Sequence, residues 1–338
     1  MSEKRLTISV VMPAYDAAHL LERVLTPLLK MHAYGEVDEV LVVDDQSTDD
    51  TAKLAREMGA TVMVMPKNGG PGAARNFAAE VALSDILWFV DSDVIAMPGG
   101  AAEIREAFSD ESVHAVFGSY DSDPGATSWF SNYKNLTHRF HHQTARRDAT
   151  TFWSGCGAIR TKIFRDLGGF DTETYRVPSI EDIELGYRIK RAGGNILVCP
   201  NLLGKHLKVW SMRNAVFTDI YRRALPWSRL MISREGLTND LNTSMGERAR
   251  ALVAGLFILS LLILPIAPVL WPYPFILFTL AIAINWKFVA YLAKNGGIAF
   301  ALASILFHQV YYLYSTAAYV WCLVEYHLLG RKNRLHVP

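Results

Sequence analysis

The chain has 338 residues, enough for one large domain or two modest ones. Its 34 Lys and Arg against 33 Asp and Glu leave a formal charge of +1, which argues against a nucleic-acid binder working through bulk charge. Three widely spaced cysteines, Cys156, Cys199 and Cys322, suggest neither a disulfide framework nor a zinc cluster and fit a reducing compartment. Charge is unevenly spread. From Ala251 to Val324 only Lys287 and Lys294 are formally charged. This asymmetry predicts a soluble part, 1–242, followed by a membrane part, 243–338. Met1 to Arg5 leads straight into a strand-like run without the long apolar region of a signal peptide, so the first part is expected to stay in the cytoplasm.

Leu6 to Met12 is β-branched and apolar and reads as a buried strand. Pro13-Ala14-Tyr15-Asp16 follows as a turn. Leu20, Leu21, Val24, Leu25, Leu28 and Leu29 then recur at helical spacing. Val37 to Val43 is a second strand ending in Asp44-Asp45, and Gln46 to Thr51 offers caps for a helix over Ala52 to Met58. Ala60 to Met65 is a third strand, Ala73 to Leu83 a helix, and Ile86 to Val90 the next strand. This alternation predicts an α/β fold with a mostly parallel sheet and helices on both faces. Ligands on such sheets bind at the carboxyl ends of the strands, where Tyr15, Asp45 and Asp91 fall.

Two carboxylates, Asp91 and Asp93, close the Ile86–Val90 strand. Strand alternation would aim both to one side, where their repulsion favours a hard cation such as Mg²⁺ or Mn²⁺. By itself the pair reads more simply as a polar turn closing the strand. Lys67 to Asn76 is glycine-rich and opens a helix, so a phosphate site is one reading and an ordinary Gly/Pro loop the other. It is neither a Walker A loop nor a dinucleotide fingerprint, because Arg75 stands where the third glycine would be. Arg75 is a candidate partner for a diphosphate.

Taken together, Val11-Met12-Pro13-Ala14-Tyr15, Val42-Val43-Asp44-Asp45-Gln46-Ser47-Thr48-Asp49, Asn68-x-Gly70-x-x-x-Ala74-Arg75-Asn76 and Asp91-x-Asp93 resemble a family 2 glycosyltransferase over roughly the first 230 residues. The resemblance implies a GT-A fold, a nucleotide-sugar donor (a UDP-sugar by preference) and inversion at the anomeric centre. It implies that Pro13 and Tyr15 line the base pocket and that Asp45 accepts from uracil. Asp91 would contact ribose or metal, and Asp93 would ligate the metal. The family's acidic pair is Glu181-Asp182. Inverting transfer needs a base on the acceptor face, and Asp182, in the first turn of a helix capped by Ser179, is the expected one. Glu181 is the alternative. The Thr151–Arg160 segment, with Gly155, Cys156 and Gly157, resembles the family's donor-sugar and acceptor lining. Cys156 also reads as a packed small residue. Ser119 to Asp148 reads as a loop over the site or a solvated helix. His206, after a last strand at Asn195 to Cys199, is a further candidate metal ligand.

Arg223 and Trp227 match the ends of the Gln/Arg-x-x-Arg-Trp signature of membrane family 2 enzymes such as ceramide glucosyltransferase, with Pro226 in place of its second arginine and Arg222 as a substitute. The alternative is an amphipathic helix at about 210–235 lying on a bilayer. Beyond it, 251–270, 275–292 and 298–324 are candidate transmembrane helices. Arg248 and Arg250 place the first part on the cytoplasmic side. Two spans plus a re-entrant segment would fit the basic tail better than three. The expected protein is a multi-pass cell-membrane glycosyltransferase that uses Mg²⁺ or Mn²⁺. It would move a sugar to a lipid acceptor, polyprenyl phosphate or a glycolipid, at the cytoplasmic face. A processive polysaccharide synthase and a non-catalytic scaffold retaining the fold are the rivals.

Overall fold

The computed structural model describes residues 5–123, 125–236 and 243–332. The chain divides into two compact units. The first comprises the described residues up to Thr127 together with His142–Val209, and the second comprises Ser128–His141 and the described residues from Trp210 onward.

The first unit begins with β1 (Ile8–Ala14), α1 (Ala18–Ala33), β2 (Glu39–Asp44), α2 (Thr51–Glu57), β3 (Thr61–Val64), α3 (Gly70–Val81) and β4 (Ile86–Val90). Every side chain of β4 is buried, as expected of a strand covered on both faces. The apolar stripe of α1, Leu21, Val24, Leu25, Leu28 and Met31, packs into the same core. There follow β5 (Val94–Ala96), α4 (Gly100–Phe108), β6 (Val113–Tyr120), then, after α5 (Trp129–Thr144), most of which belongs to the second unit, β7 (Asp148–Ala149), β8 (Cys156–Arg160), α6 (Thr161–Asp166), α7 (Glu181–Arg191) and β9 (Asn195–His206).

One sheet runs β3-β2-β1-β4-β8-β6-β9-β5, with β7 beside β9. Its first half, β3-β2-β1-β4, is parallel as the strand–helix alternation predicts. The second half is mixed. β8 runs antiparallel between β4 and β6, and β9 is parallel to β6 but antiparallel to β5 and β7. These strands are short or unpatterned, so their sequences carry no period-2 signal. β9 also extends beyond the expected Cys199, to His206, because β6 and β5 supply pairing along its length. Behind β4, Phe89 meets Phe164 and Phe170 with ring centroids 5.3 and 5.5 Å apart.

The second unit corrects two expectations. The Ser119–Asp148 segment, read as a loop or solvated helix, contains α5, whose Tyr133 and Leu136 are buried. Trp227, expected at a bilayer surface, is also buried, while Arg223 is exposed. After α8 (Met212–Phe217), the chain runs through a π-helical stretch, Thr218–Ala224, into α9 (Leu225–Leu230) and a second π-helical turn, Met231–Glu235.

The apolar C-terminal part folds as α10 (Met245–Ile263), α11 (Pro272–Ile284), α12 (Trp286–Gly296) and α13 (Ile298–His327). Of the three expected spans, only 298–324 is one continuous helix long and apolar enough to cross a bilayer. The 251–270 stretch leaves the α-helix at Ile263, since Pro265 has no N–H to carry the ladder on. The 275–292 stretch breaks at Asn285, where the helical segments Pro268–Ile284 and Trp286–Gly296 meet at 79°. There the Asn285 side-chain amide donates to the Ala281 carbonyl and competes with the backbone. Ion pairs join the elements of this unit. Lys134 and Tyr314 both donate to Asp219, and Arg229 donates to Glu325.

Truncating Phe89 removes the ring that β4 places against Phe164 and Phe170. Phe89→Ala is expected to cost about 3–5 kcal/mol, read as a shift in urea midpoint of the full chain in mild detergent.

Candidate active site

In the first unit, Tyr15, Asp45 and Asp91 follow the carboxyl ends of β1, β2 and β4, Glu181 and Asp182 open α7, and His206 ends β9. Pro13 is buried within β1, and Tyr15, just beyond it, is 51% exposed. The loops after β1 and β2 are stapled together. Asp16 accepts from Thr48 N at 2.7 Å, and its own N–H donates to Ser47 Oγ. Asp16 and Gln46 both hold positive φ, 47° and 63°, a conformation non-glycine residues adopt only when the surroundings enforce it.

Asp45 is buried, and its carboxylate accepts the N–H groups of Gly69 and Gly70 at 2.8 and 2.7 Å. It therefore complements the positive end of α3, and each oxygen retains a free lone pair. Arg75 lies on α3 but is 3% exposed, with its guanidinium 5.6 Å from the Phe170 ring and ion-paired to Asp91. In this structure its guanidinium pairs with Asp91.

β4 ends at Val90, and the chain turns, with Val94 N–H donating to Asp91 O at 2.9 Å. Strand alternation therefore does not extend to Asp91 and Asp93, and the two carboxylates take different partners. Burial pushes the Asp91 carboxyl up, against the pull of Arg75 and with help from the Asp93 charge. Asp93 faces His206, Oδ2 to Nε2 at 3.6 Å. The antiparallel register that sets Val94 opposite His206 brings them together. Burial alone would raise the Asp93 carboxyl, but His206 and the Lys208 charge outweigh it and hold it low. Tyr120 stacks on His206 at 4.4 Å, and Trp153 meets Tyr120 edge-on at 5.0 Å, so the imidazole plane is fixed. Among the described residues no three His, Cys, Asp or Glu side chains gather for a metal. Asp93 and His206 nevertheless form a two-donor set of the kind that completes its shell with substrate phosphates and water.

Asp182 sits in the first turn of α7. Its Oδ1 accepts Ile183 N–H at 2.8 Å, and its Oδ2 accepts Ser154 N–H at 3.1 Å and Ser154 Oγ–H at 3.3 Å. Ile180 is the N-cap, and the Glu181 carboxylate turns back to accept Ser179 N–H at 2.7 Å. Burial and then the neighbouring Asp182 push Glu181 up to about 7. Asp182 is near enough to Asp91 for its charge to act on that carboxyl.

Cys156 and Gly157 do not line a pocket. Both are buried in β8, and burial pushes the Cys156 thiol up to about 12. A Cβ on Gly155 or Gly157 would strike Trp153 at 2.6 or 2.3 Å, so these glycines admit that residue rather than a ligand. Sequence reasoning missed Ser154 and Lys208. Ser154 lay within the Thr151–Arg160 segment, directly before Gly155, and Lys208 stood two residues beyond His206. In the second unit, Arg222 lies 6.0 Å from the Phe217 ring, with Arg223 and Trp227 as described above.

Residues 9–168, which hold all of these elements up to α6, match the family model described as glycosyl transferase family 2. This stretch, just under half of the chain, is a glycosyl transferase family 2 domain. The pre-mycofactocin glycosyltransferase of Mycobacterium tuberculosis is 28% identical over 228 residues, covering 62% of this chain and 46% of that protein. The validoxylamine A glucosyltransferase of Streptomyces hygroscopicus subsp. jinggangensis is 28% identical over 219 residues, covering 55% of this chain and 52% of that protein. The chain thus spans about half the length of these relatives. Among solved structures, a mannosyltransferase from Pyrobaculum calidifontis in complex with GDP-Man and Mn²⁺ superposes with TM-score 0.51 at 19% identity, over 94% of this chain and 88% of that one. That likeness shows a shared GT-A fold.

Glu181 yields a pH prediction. Its folded value of about 7 lies above its ordinary 4.5, so the folded state binds the proton more tightly. Its contribution is present below about pH 4.5 and is lost as pH rises through 7. Glu181→Gln should flatten this dependence and stabilise the protein at pH 8 by on the order of 2 kcal/mol. Unfolding midpoints at pH 5 and pH 8 check it.

Proposed function

We propose that this chain is a membrane-anchored, metal-dependent inverting glycosyltransferase. In this reading it moves a sugar from a nucleoside-diphosphate sugar, a UDP-sugar by preference, to a lipid acceptor at the cytoplasmic face. The observation that carries the reading is the convergence of Asp91, Asp93 with His206, and Asp182 at one end of the sheet. A protein that kept the fold only as a scaffold would have no need of three such carboxylates.

Tyr15 offers an exposed ring for the base to stack on, and Asp45 offers its remaining lone pairs to the base. Asp91, steadied by Arg75, faces the ribose. Asp93 and His206 would hold Mg²⁺ or Mn²⁺, which when bound supplies positive charge to the diphosphate. Lys208, whose charge already reaches Asp93, adds to that field. With a hydroxyl acceptor such as a glycolipid, Asp182 takes the hydroxyl proton as the hydroxyl oxygen bonds to the anomeric carbon; a phosphate acceptor attacks through an oxygen that is already ionised. The bond to the diphosphate breaks on the opposite face, and the diphosphate leaves with the electron pair. One attack from one face inverts the centre.

The lipid acceptor rests on α13, whose 30 residues make a rod of about 45 Å, longer than a bilayer's apolar core. Ile298, Leu302, Leu306, Val310 and Leu313 expose one apolar stripe along it. Polyprenyl phosphate is the first choice, and a glycolipid is second. Assaying the full chain in detergent with polyprenyl phosphate, glycolipid and soluble sugars decides the acceptor. Transfer to soluble sugars alone overturns the lipid reading.

Two variants test the chemistry. Asp182→Asn keeps the shape but accepts no proton, so turnover should fall about 10²-fold or more with donor binding unchanged, as measured by steady-state kinetics and calorimetry. Excess chelator should abolish transfer and Mn²⁺ or Mg²⁺ restore it, while Asp93→Ala should resist restoration. Full activity in chelator contradicts the metal assignment.

A further inference from the structure

The two oxygens of Asp182 are held from two different places. Its own helix supplies Ile183 N–H to Oδ1, and Ser154 supplies both its N–H and its hydroxyl to Oδ2. Ser154 is 4% exposed, so its hydroxyl makes this bond out of reach of bulk water. The segment that carries Ser154 is seated directly on α7. Gly186, one helical turn from Asp182, lies against the Thr151–Phe152 backbone, where a Cβ would come within 2.4 Å of Phe152 N. The next residue, Gly155, accepts the Asp91 N–H on its carbonyl at 3.3 Å. One step of chain, Ser154-Gly155, thus touches Asp182 on one side and Asp91 on the other.

We propose that Ser154 is a positioning residue that fixes the Asp182 carboxylate relative to the Asp91 side of the site. The inference rests on the reading of Asp182 as the base. A free aspartate at a helix start samples several staggered rotamers, and a hydroxyl bond to one oxygen selects among them. Catalytic groups need placement within roughly 0.5 Å, and errors of about 1 Å cost as much as 10²-fold. The Ser154 hydroxyl does this by aiming the carboxylate's remaining lone pairs, without touching substrate.

The test uses the full chain in mild detergent. It follows nucleoside diphosphate release from UDP-glucose, UDP-N-acetylglucosamine, UDP-galactose and GDP-mannose, with water as acceptor. Ser154→Ala keeps the backbone bond and loses the hydroxyl bond. Its kcat should fall about tenfold, with donor KM within about twofold and the thermal midpoint unchanged. Ser154→Thr retains the hydroxyl and should recover to within about threefold of the parent. In the Asp182→Asn background Ser154→Ala should cost nothing further, which a merely structural role would not reproduce. Unchanged kcat in Ser154→Ala overturns the proposal. So does a loss that tracks the thermal midpoint and is not restored by threonine. Asp182→Asn at full rate removes the base reading and this inference with it. A slow Asp182→Asn beside a full-rate Ser154→Ala removes only the role of Ser154. No release from any of the four donors by the unaltered chain counts against both readings.

Discussion

Four carboxylates crowd one end of the sheet, and the site depends on keeping their charges apart. Asp91, Asp93, Glu181 and Asp182 would raise one another's pKa values if left to share a space. Each is instead given its own partner. Arg75 holds Asp91, His206 faces Asp93, Ser154 and Ile183 donate to Asp182, and Ser179 N–H satisfies Glu181. The partners differ in kind, and so do the results. Asp93 is held low, while Asp91 and Glu181 are raised. Chemically similar groups thereby become suited to different tasks, which is the usual route to acid–base division of labour in one pocket.

Packing enforces this partition. Arg75 meets Asp91 with its guanidinium over the Phe89 and Phe170 rings. His206 keeps its plane because Tyr120 stacks on it and Trp153 abuts Tyr120. Glycines make the close approaches possible. Gly155 and Gly157 leave room for Trp153, and Gly186 lets α7 rest on backbone. The core and the site are therefore one structure, and the strength of the site lies in how little its side chains can move.

The second unit works by the same pairing rule in a more apolar setting. Asp219, Glu247 and Glu325 are all buried, and each meets a cation or a tyrosine within the unit. Buried charges without such partners would be costly to hold. These links join α13 to the helices that precede it, so the long apolar helix is tied into a bundle at Tyr312, Tyr314 and Glu325.

Several features were legible from local pattern alone. The parallel half of the sheet follows from apolar runs alternating with helical stripes. Asp91, Asp93 and Asp182 stand in short motifs that can be recognised without a structure, and α13 is a long apolar stretch. Each of these signals is contained within a few consecutive residues, so neighbouring side chains and backbone propensity are enough to produce it. Tertiary structure decided the rest. It paired Arg75 with Asp91, closed Cys156 inside β8, bent 275–292 at Asn285, and joined Ser154 to Asp182 across 28 residues. It set Asp93 beside His206 through the pairing of β5 with β9. Strand register, strand direction and helix seating are set by how distant surfaces fill space together, and no local stretch of sequence carries that information.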